Sequence, residues 1–259
     1  MINKSQLSQP ISDDNISNEE IARFDAMAES WWDPEGSYKT AIAFNQARTE
    51  VMLAQIQQHF GLEHATKPLE GVSILDVGCG GGLVSETLAL KGAQVTGIDA
   101  SAVSIQVARR HAKKTGVSVN YQHALSSDMA KQHDRFDVVI NAEVVEHVPD
   151  QKQLIRECSE MVHPGGMLIL ATLNRTVKSF IIAILGAEYV MRYLPIGTHD
   201  WRLFVKPAEL NQWTGEDMKL TFETGMRLNP FSGQWRVCQS TRVNYLQCYR
   251  KLPGLTLDT

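Results

Sequence analysis

From residue 72 onward, short apolar runs alternate with stretches whose apolar residues recur every three or four positions. The runs are Val72 to Val77, Ala93 to Ile98, Val117 to Tyr121, Phe136 to Asn141 and Met167 to Leu173. Runs this short, separated by helical periods, predict parallel strands covered by helices on both faces. Two closing strands are expected at Lys219 to Met226 and Arg242 to Tyr249, which makes the fold α/β with a mainly parallel, seven-stranded sheet.

Before this alternation the pattern is helical only. Ser17 with Glu20 three positions on has the spacing of a capping box, and Ile21, Phe24 and Ala28 follow at helical period. That helix should end near Trp31-Trp32-Asp33-Pro34, and a second should run from about Asn45 to His59 and stop at Gly61. The expected organisation is a flexible tail over 1–16 and a single domain over 17–259. That domain carries a helical cap at 17–71 and an insert at 175–215.

Within the insert, Val177 to Leu194 is apolar and helical in pattern, followed by the turn residues Pro195-Ile196-Gly197 and a short helix from Lys206-Pro207. Its apolar core, Phe180 to Ala187, is too short to span a bilayer, which takes about 20 apolar residues. With Lys178, Arg192 and Arg202 around it, it suits either peripheral contact with a membrane through residues 178–194 or a cover over a pocket.

Composition narrows the class. With 43% hydrophobic residues in 259, the chain can bury one sizeable core. A formal charge of -4 and the lack of a long Lys/Arg block argue against nucleic acid as a partner. Cys79, Cys158, Cys238 and Cys248 form no C-x-x-C pair, which disfavours a zinc ribbon or disulfide framework and fits a reducing cytoplasm. Met1 to Asn15 is polar and acidic, unlike a signal peptide.

The sharpest local feature is Ile74-Leu75-Asp76-Val77-Gly78-Cys79-Gly80-Gly81-Gly82, a strand running through glycines into a helix near Leu83. Glycine there permits positive φ and close approach of a ligand to the backbone. The spacing is G-x-G-x-G; the dinucleotide fingerprint would need glycine at Leu83, which counts against NAD or FAD. The next strand ends at Asp99, 21 residues after Gly78, where an acid meets the ribose of a nucleoside or, more plainly, caps the following helix through Ser101.

These residues resemble the class I methyltransferase pattern, a Rossmann-like fold. A closer similarity covers most of the chain: Phe24 to Ala28 before Trp31-Trp32-Asp33, then Glu143-Val144-Val145-Glu146-His147-Val148-Pro149, Thr172 to Arg175, Gly186 to Tyr189 and Gly197-Thr198-His199-Asp200. Together they resemble the ubiquinone-biosynthesis O-methyltransferases. The resemblance implies S-adenosylmethionine as cofactor, contacted by Arg48, Gly78, Gly80, Asp99 and Ala142. It also implies a polyprenylated phenol as substrate, methylated on 3-demethylubiquinol and 2-polyprenyl-6-hydroxyphenol types of ring. Arg48 has a rationale of its own, since a guanidinium grips a carboxylate in a bidentate way. The chain departs from the family's pattern at Lys39 to Ala47, where Asn45 is retained, and after the third strand, where adenine would be read by backbone or by Asp128.

Glu143, Glu146 and His147 stand at i, i+3 and i+4, so a helical turn would gather them on one side. Two carboxylates and an imidazole suit a divalent cation, Mg, Zn or Mn, and the resemblance implies such a site. Alternatively the run merely ends a strand and starts a helix, and His147 is then the candidate catalytic base. His199 and Asp200 either line the acceptor site or stabilise a turn. Two other readings stand beside this one: a methyltransferase for another small phenol, and a non-catalytic cofactor- or lipid-binding component of an assembly.

Overall fold

The computed structural model describes residues 7, 11, 13–33, 36, 39–62, 67–182, 184, 200–229 and 232–253. The cap is α1 (Asn18–Met27), a 3-10 turn at Ala28–Ser30, and α2 (Lys39–Phe60). Ser17 caps α1 as expected, accepting from the Glu20 N–H at 3.3 Å. α2 begins six residues earlier than the apolar pattern indicated, and it closes through Gly61 at φ +67 with Leu62 N–H donating to Gln57 O.

The alternating region folds as β1 (Ser73–Val77), α3 (Leu83–Leu90), β2 (Gln94–Asp99), α4 (Ala102–Thr115), β3 (Asn120–His123), α5 (Ser126–Lys131), β4 (Phe136–Ala142), α6 (Gln151–Glu160) and β5 (Val162–Leu173). β3 starts later than the apolar run because the Val117 N–H is taken by Ala112 O as α4 ends. After α7 (Val177–Ser179) and α8 (Pro207–Trp213), the chain closes with β6 (Met218–Leu228), β7 (Trp235–Cys238) and β8 (Asn244–Lys251).

The sheet order is β3-β2-β1-β4-β5-β8-β6-β7. The five strands β1 to β5 pair in parallel, while β8, β6 and β7 join by antiparallel pairing. This is the mainly parallel sheet expected, with an eighth strand, β7, added at its edge. Four residues held by hairpin pairing with β6 carry no periodicity that sequence could reveal.

Alternate residues of each strand face opposite layers, as the strand period requires. Leu75, Val77, Val139, Leu168 and Leu170 pack toward α6 and α8, whereas Ile74, Val138, Ile140 and Ile169 pack toward α2 and α3. Strand order reverses between β1 and β4, and the crevice beyond the strand ends at such a point is where α/β sheets bind ligands.

Two expectations fall partly outside the described residues. Of the insert, residues 183 and 185–199 lie outside, including Gly186 to Tyr189 and His199. The described part forms a wall: Ile184 packs with Leu173 and Phe204, and Phe180 meets Trp201 edge-on at 6.4 Å. Among the described residues no helix is long and apolar enough to cross a membrane. Within the segment expected to be a tail, Asn15 exchanges hydrogen bonds with the backbone of Asp150.

Candidate active site

The end of β1 turns into α3 through three glycines with positive φ: Gly78 (+73), Gly80 (+53) and Gly82 (+90). The Gly78 and Cys79 N–H groups donate to Ile98 O, and the Gly80 N–H donates to Asp99 Oδ2 at 2.9 Å. The other Asp99 oxygen accepts from the Ser101 N–H at 2.7 Å. The acid therefore orders the turn into α4, as the plainer sequence reading expected, and it faces the glycine loop. Burial raises its carboxyl above the usual range.

Beneath the loop, Asp76 is buried and accepts from Ser85 Oγ at 2.6 Å. Burial pushes its carboxyl up to about 6, although the Ser85 bond and the Arg48 charge pull the other way.

The cap closes over this loop at four points. Trp32 Nε1 donates to Gly81 O at 2.8 Å, and its ring stacks on His111 at 3.5 Å. His111 is anchored in turn on the buried Glu86. Ser101 Oγ donates to Asp25, and His147 Nδ1 meets Glu20 Oε2 at 2.8 Å. Phe24 stands edge-on to the His147 ring at 5.0 Å.

A cavity of about 890 Å³ runs along this edge of the sheet. It is lined by Arg48, Gly78, Gly80, Asp99, Ala142, Glu143 and His147, so the expected cofactor contacts and the candidate base face one space, whereas Glu146 does not. Asp128 is not among its walls and caps α5 through the Leu125 N–H. Asp200 forms a turn, capping Trp201–Leu203 and pairing with Arg202.

The expectation that Glu143, Glu146 and His147 share one helical face is corrected by the backbone. Glu143 sits at φ +59, in the left-handed region, and only Val145–His147 forms a 3-10 turn. The three side chains consequently diverge. Glu143 pairs with Arg48 at 2.8 Å, and Arg48 is held also by Asn45 on α2. Glu146 is buried and accepts from Thr172 Oγ1 at 2.8 Å, while burial, and then the neighbouring Glu143, push its carboxyl well above the usual range. His147 goes to Glu20. Among the described residues no group of three His, Cys, Asp or Glu side chains is placed to hold a metal ion. Glu146 bonded to Thr172, Glu143 paired with Arg48 and His147 paired with Glu20 do not present one ligand set to a divalent cation, so no chemistry is routed through one.

Sequence reasoning missed the far half of the cavity. Phe44, Leu173, Met226, Leu228, Trp235 and Asn244 complete it, brought in by α2 and the ends of β5, β6, β7 and β8. No local motif marks Met226, Leu228, Trp235 and Asn244, because only the antiparallel closure of the sheet carries them to this edge.

Comparison with known proteins agrees with this architecture. A family model described as a methyltransferase domain matches residues 75–170. The magnesium protoporphyrin IX methyltransferase of Synechocystis PCC 6803 superposes with a TM-score of 0.63 at 19% identity, covering 90% of this chain and 100% of that one, which is a likeness of fold. Sequence similarity is more specific. A ubiquinone biosynthesis O-methyltransferase of Azorhizobium caulinodans is 45% identical over 89% of this chain and 92% of its own. Another, of Pelagibacter ubique, is 43% identical over 92% and 99%. Identity at that level along nearly the whole of both chains, on a sheet whose glycine loop and acid-tipped second strand open into one cavity, places this chain in the ubiquinone biosynthesis O-methyltransferase family.

Proposed function

We propose that this chain transfers the methyl group of S-adenosylmethionine to a phenolic hydroxyl of a polyprenylated ubiquinone precursor. One observation carries the reading: a single cavity joins the glycine loop and Asp99 at one end to a largely apolar wall at the other. A nucleoside and an apolar phenol can therefore lie end to end. The cofactor end fits its ligand, since a Cβ built on Gly80 would have nothing within 4 Å, leaving its backbone open to approach. Asp99 accepts from ribose hydroxyls, and Arg48 offers a guanidinium to a carboxylate, in exchange for Glu143.

When bound, the cofactor supplies an electrophilic methyl group on a sulfonium. The residues of this chain hold the acceptor in line with it, exclude water and take the proton. A phenol ionises near pH ~10, so a base is needed at neutral pH. His147 is that base in this proposal: the Glu20 carboxylate can only accept, so Nδ1 carries the hydrogen and Nε2 receives the phenolic proton. With that proton on Nε2, the acceptor oxygen would be free to take the methyl group, and the bound cofactor would supply it and depart as a neutral thioether. Incubation with radiolabelled cofactor and a prenylated catechol is expected to give labelled ether; label transfer only to unprenylated natural-product phenols would replace the substrate assignment.

Asp76 adds a pH signature. A carboxyl raised by folding stabilises the fold most below its unfolded value of 3.8, and that contribution is lost as pH climbs through about 6. A cation in the cavity favours the ionised form. Affinity for S-adenosylhomocysteine, whose amino group is cationic, should therefore strengthen between about pH 5 and about pH 7. Asp76→Asn should flatten that rise in calorimetric titrations; a wild-type curve already flat there would refute the role.

A further inference from the structure

We propose that Trp235 and Phe44, with Leu228 and Met226, form the acceptor's specificity subsite. The acceptor's isoprenoid tail runs along the cavity wall from Leu228 and Trp235 toward Ile181 and Ile182. The inference rests on the methyl-transfer reading above and assigns the far half of the same cavity.

Sheet topology separates the two halves. Parallel β2, β1 and β4 carry their ends, with Asp99, the glycine loop and Glu143, to one edge. Because β8 runs antiparallel to β5 and β6 antiparallel to β8, the start of β8 and the end of β6 come to that same edge. The cavity continues past Leu173 over these strands, and its lining changes from carboxylates and glycines to Met226, Leu228, Trp235 and Val243.

The hairpin register makes Trp235 the partner of Leu228, directly across from it, so the two side chains share one face. Trp235 packs against Phe44 with ring centroids 4.5 Å apart and planes tilted by 50°. Phe44 in turn lies 5.0 Å under the Arg48 guanidinium, which pairs with Glu143. A continuous row of contacts thus runs from the edge strand to the place where the methyl group is transferred. The first isoprene units of a tailed acceptor, laid along the Trp235 end of this row, meet flat apolar faces.

The rim supplies the end of that path. Ile181 and Ile182 line the cavity yet are 53% and 46% exposed. Bare isoleucines in water lose stability that a hydrocarbon chain laid over them would restore, in proportion to the apolar area covered. A small hydrophilic phenol would leave them bare, whereas a prenylated one covers them.

The test uses calorimetric binding to the full chain saturated with S-adenosylhomocysteine, comparing a catechol without a tail and the same ring bearing a short isoprenoid tail. Trp235→Ala is expected to weaken the tailed ligand about tenfold, to leave the tail-less one and S-adenosylhomocysteine unchanged, and to be largely rescued by Trp235→Phe. Leu228→Asn, on the partner strand, should reproduce the loss should Trp235→Ala fold poorly. Equal weakening of both ligands, or of neither, would overturn the subsite. A wild-type enzyme that binds the tailed ring more tightly but methylates neither would retire the proposed reaction and leave the subsite standing.

Discussion

Replacing Gly78 with alanine should lower the melting temperature by roughly 10 °C and abolish measurable binding of S-adenosylhomocysteine. Two separate costs meet at this position. Its φ of +73 is one that residues with a Cβ adopt only at about 1–2 kcal/mol. A Cβ there would also stand 2.3 Å from Val144 Cγ2, in the loop that carries Glu143 and begins the turn to His147, and overpacking of that kind costs about 1–3 kcal/mol. The neighbouring glycines separate the two contributions. At Gly80, φ is +53 and nothing lies within 4 Å, so Gly80→Ala bears only the backbone cost. The double variant Gly78→Ala, Val144→Ala should recover the steric share of the melting temperature and not the binding. Equal losses in Gly78→Ala and Gly80→Ala, read by thermal denaturation, would mean that contact with Val144 is not what the glycine avoids.

Removing the imidazole of His147 should reduce kcat by about a hundredfold or more, the range typical of a positioned general base, with little change in cofactor affinity. The ring has a second attachment, because it ties α1 to the body of the protein through Glu20, so His147→Ala alone would not separate chemistry from closure. Glu20→Gln keeps a hydrogen-bond acceptor for Nδ1 and should cost far less. The deciding measurement is an acceptor whose hydroxyl is already ionised at the assay pH. If His147 takes the proton, that acceptor recovers most of the lost rate in His147→Ala; if the ring only holds the cap shut, every acceptor suffers alike.

The glycine loop and the acid facing it were legible because their signals are local. A run of apolar residues ending in G-x-G-x-G means a strand that turns through positive φ, and the chemistry of the turn is set by residues adjacent in sequence. Asp99 followed from the same logic one strand later. Spacing misled where the backbone left the regular helix. Glu143, Glu146 and His147 have the positions of one helical face, but the left-handed φ at Glu143 puts that residue outside the turn, and each side chain finds a different partner.

Readable from the chain alone were the five parallel strands, the glycine loop and the acid beyond it, since each depends on contacts a few residues apart or on periodicity within one element. Only the tertiary structure decided what faces that loop. Met226, Trp235 and Asn244 lie more than a hundred residues from Gly78, and long-range strand pairing, which leaves no pattern in any short window, is what brings them to the same edge.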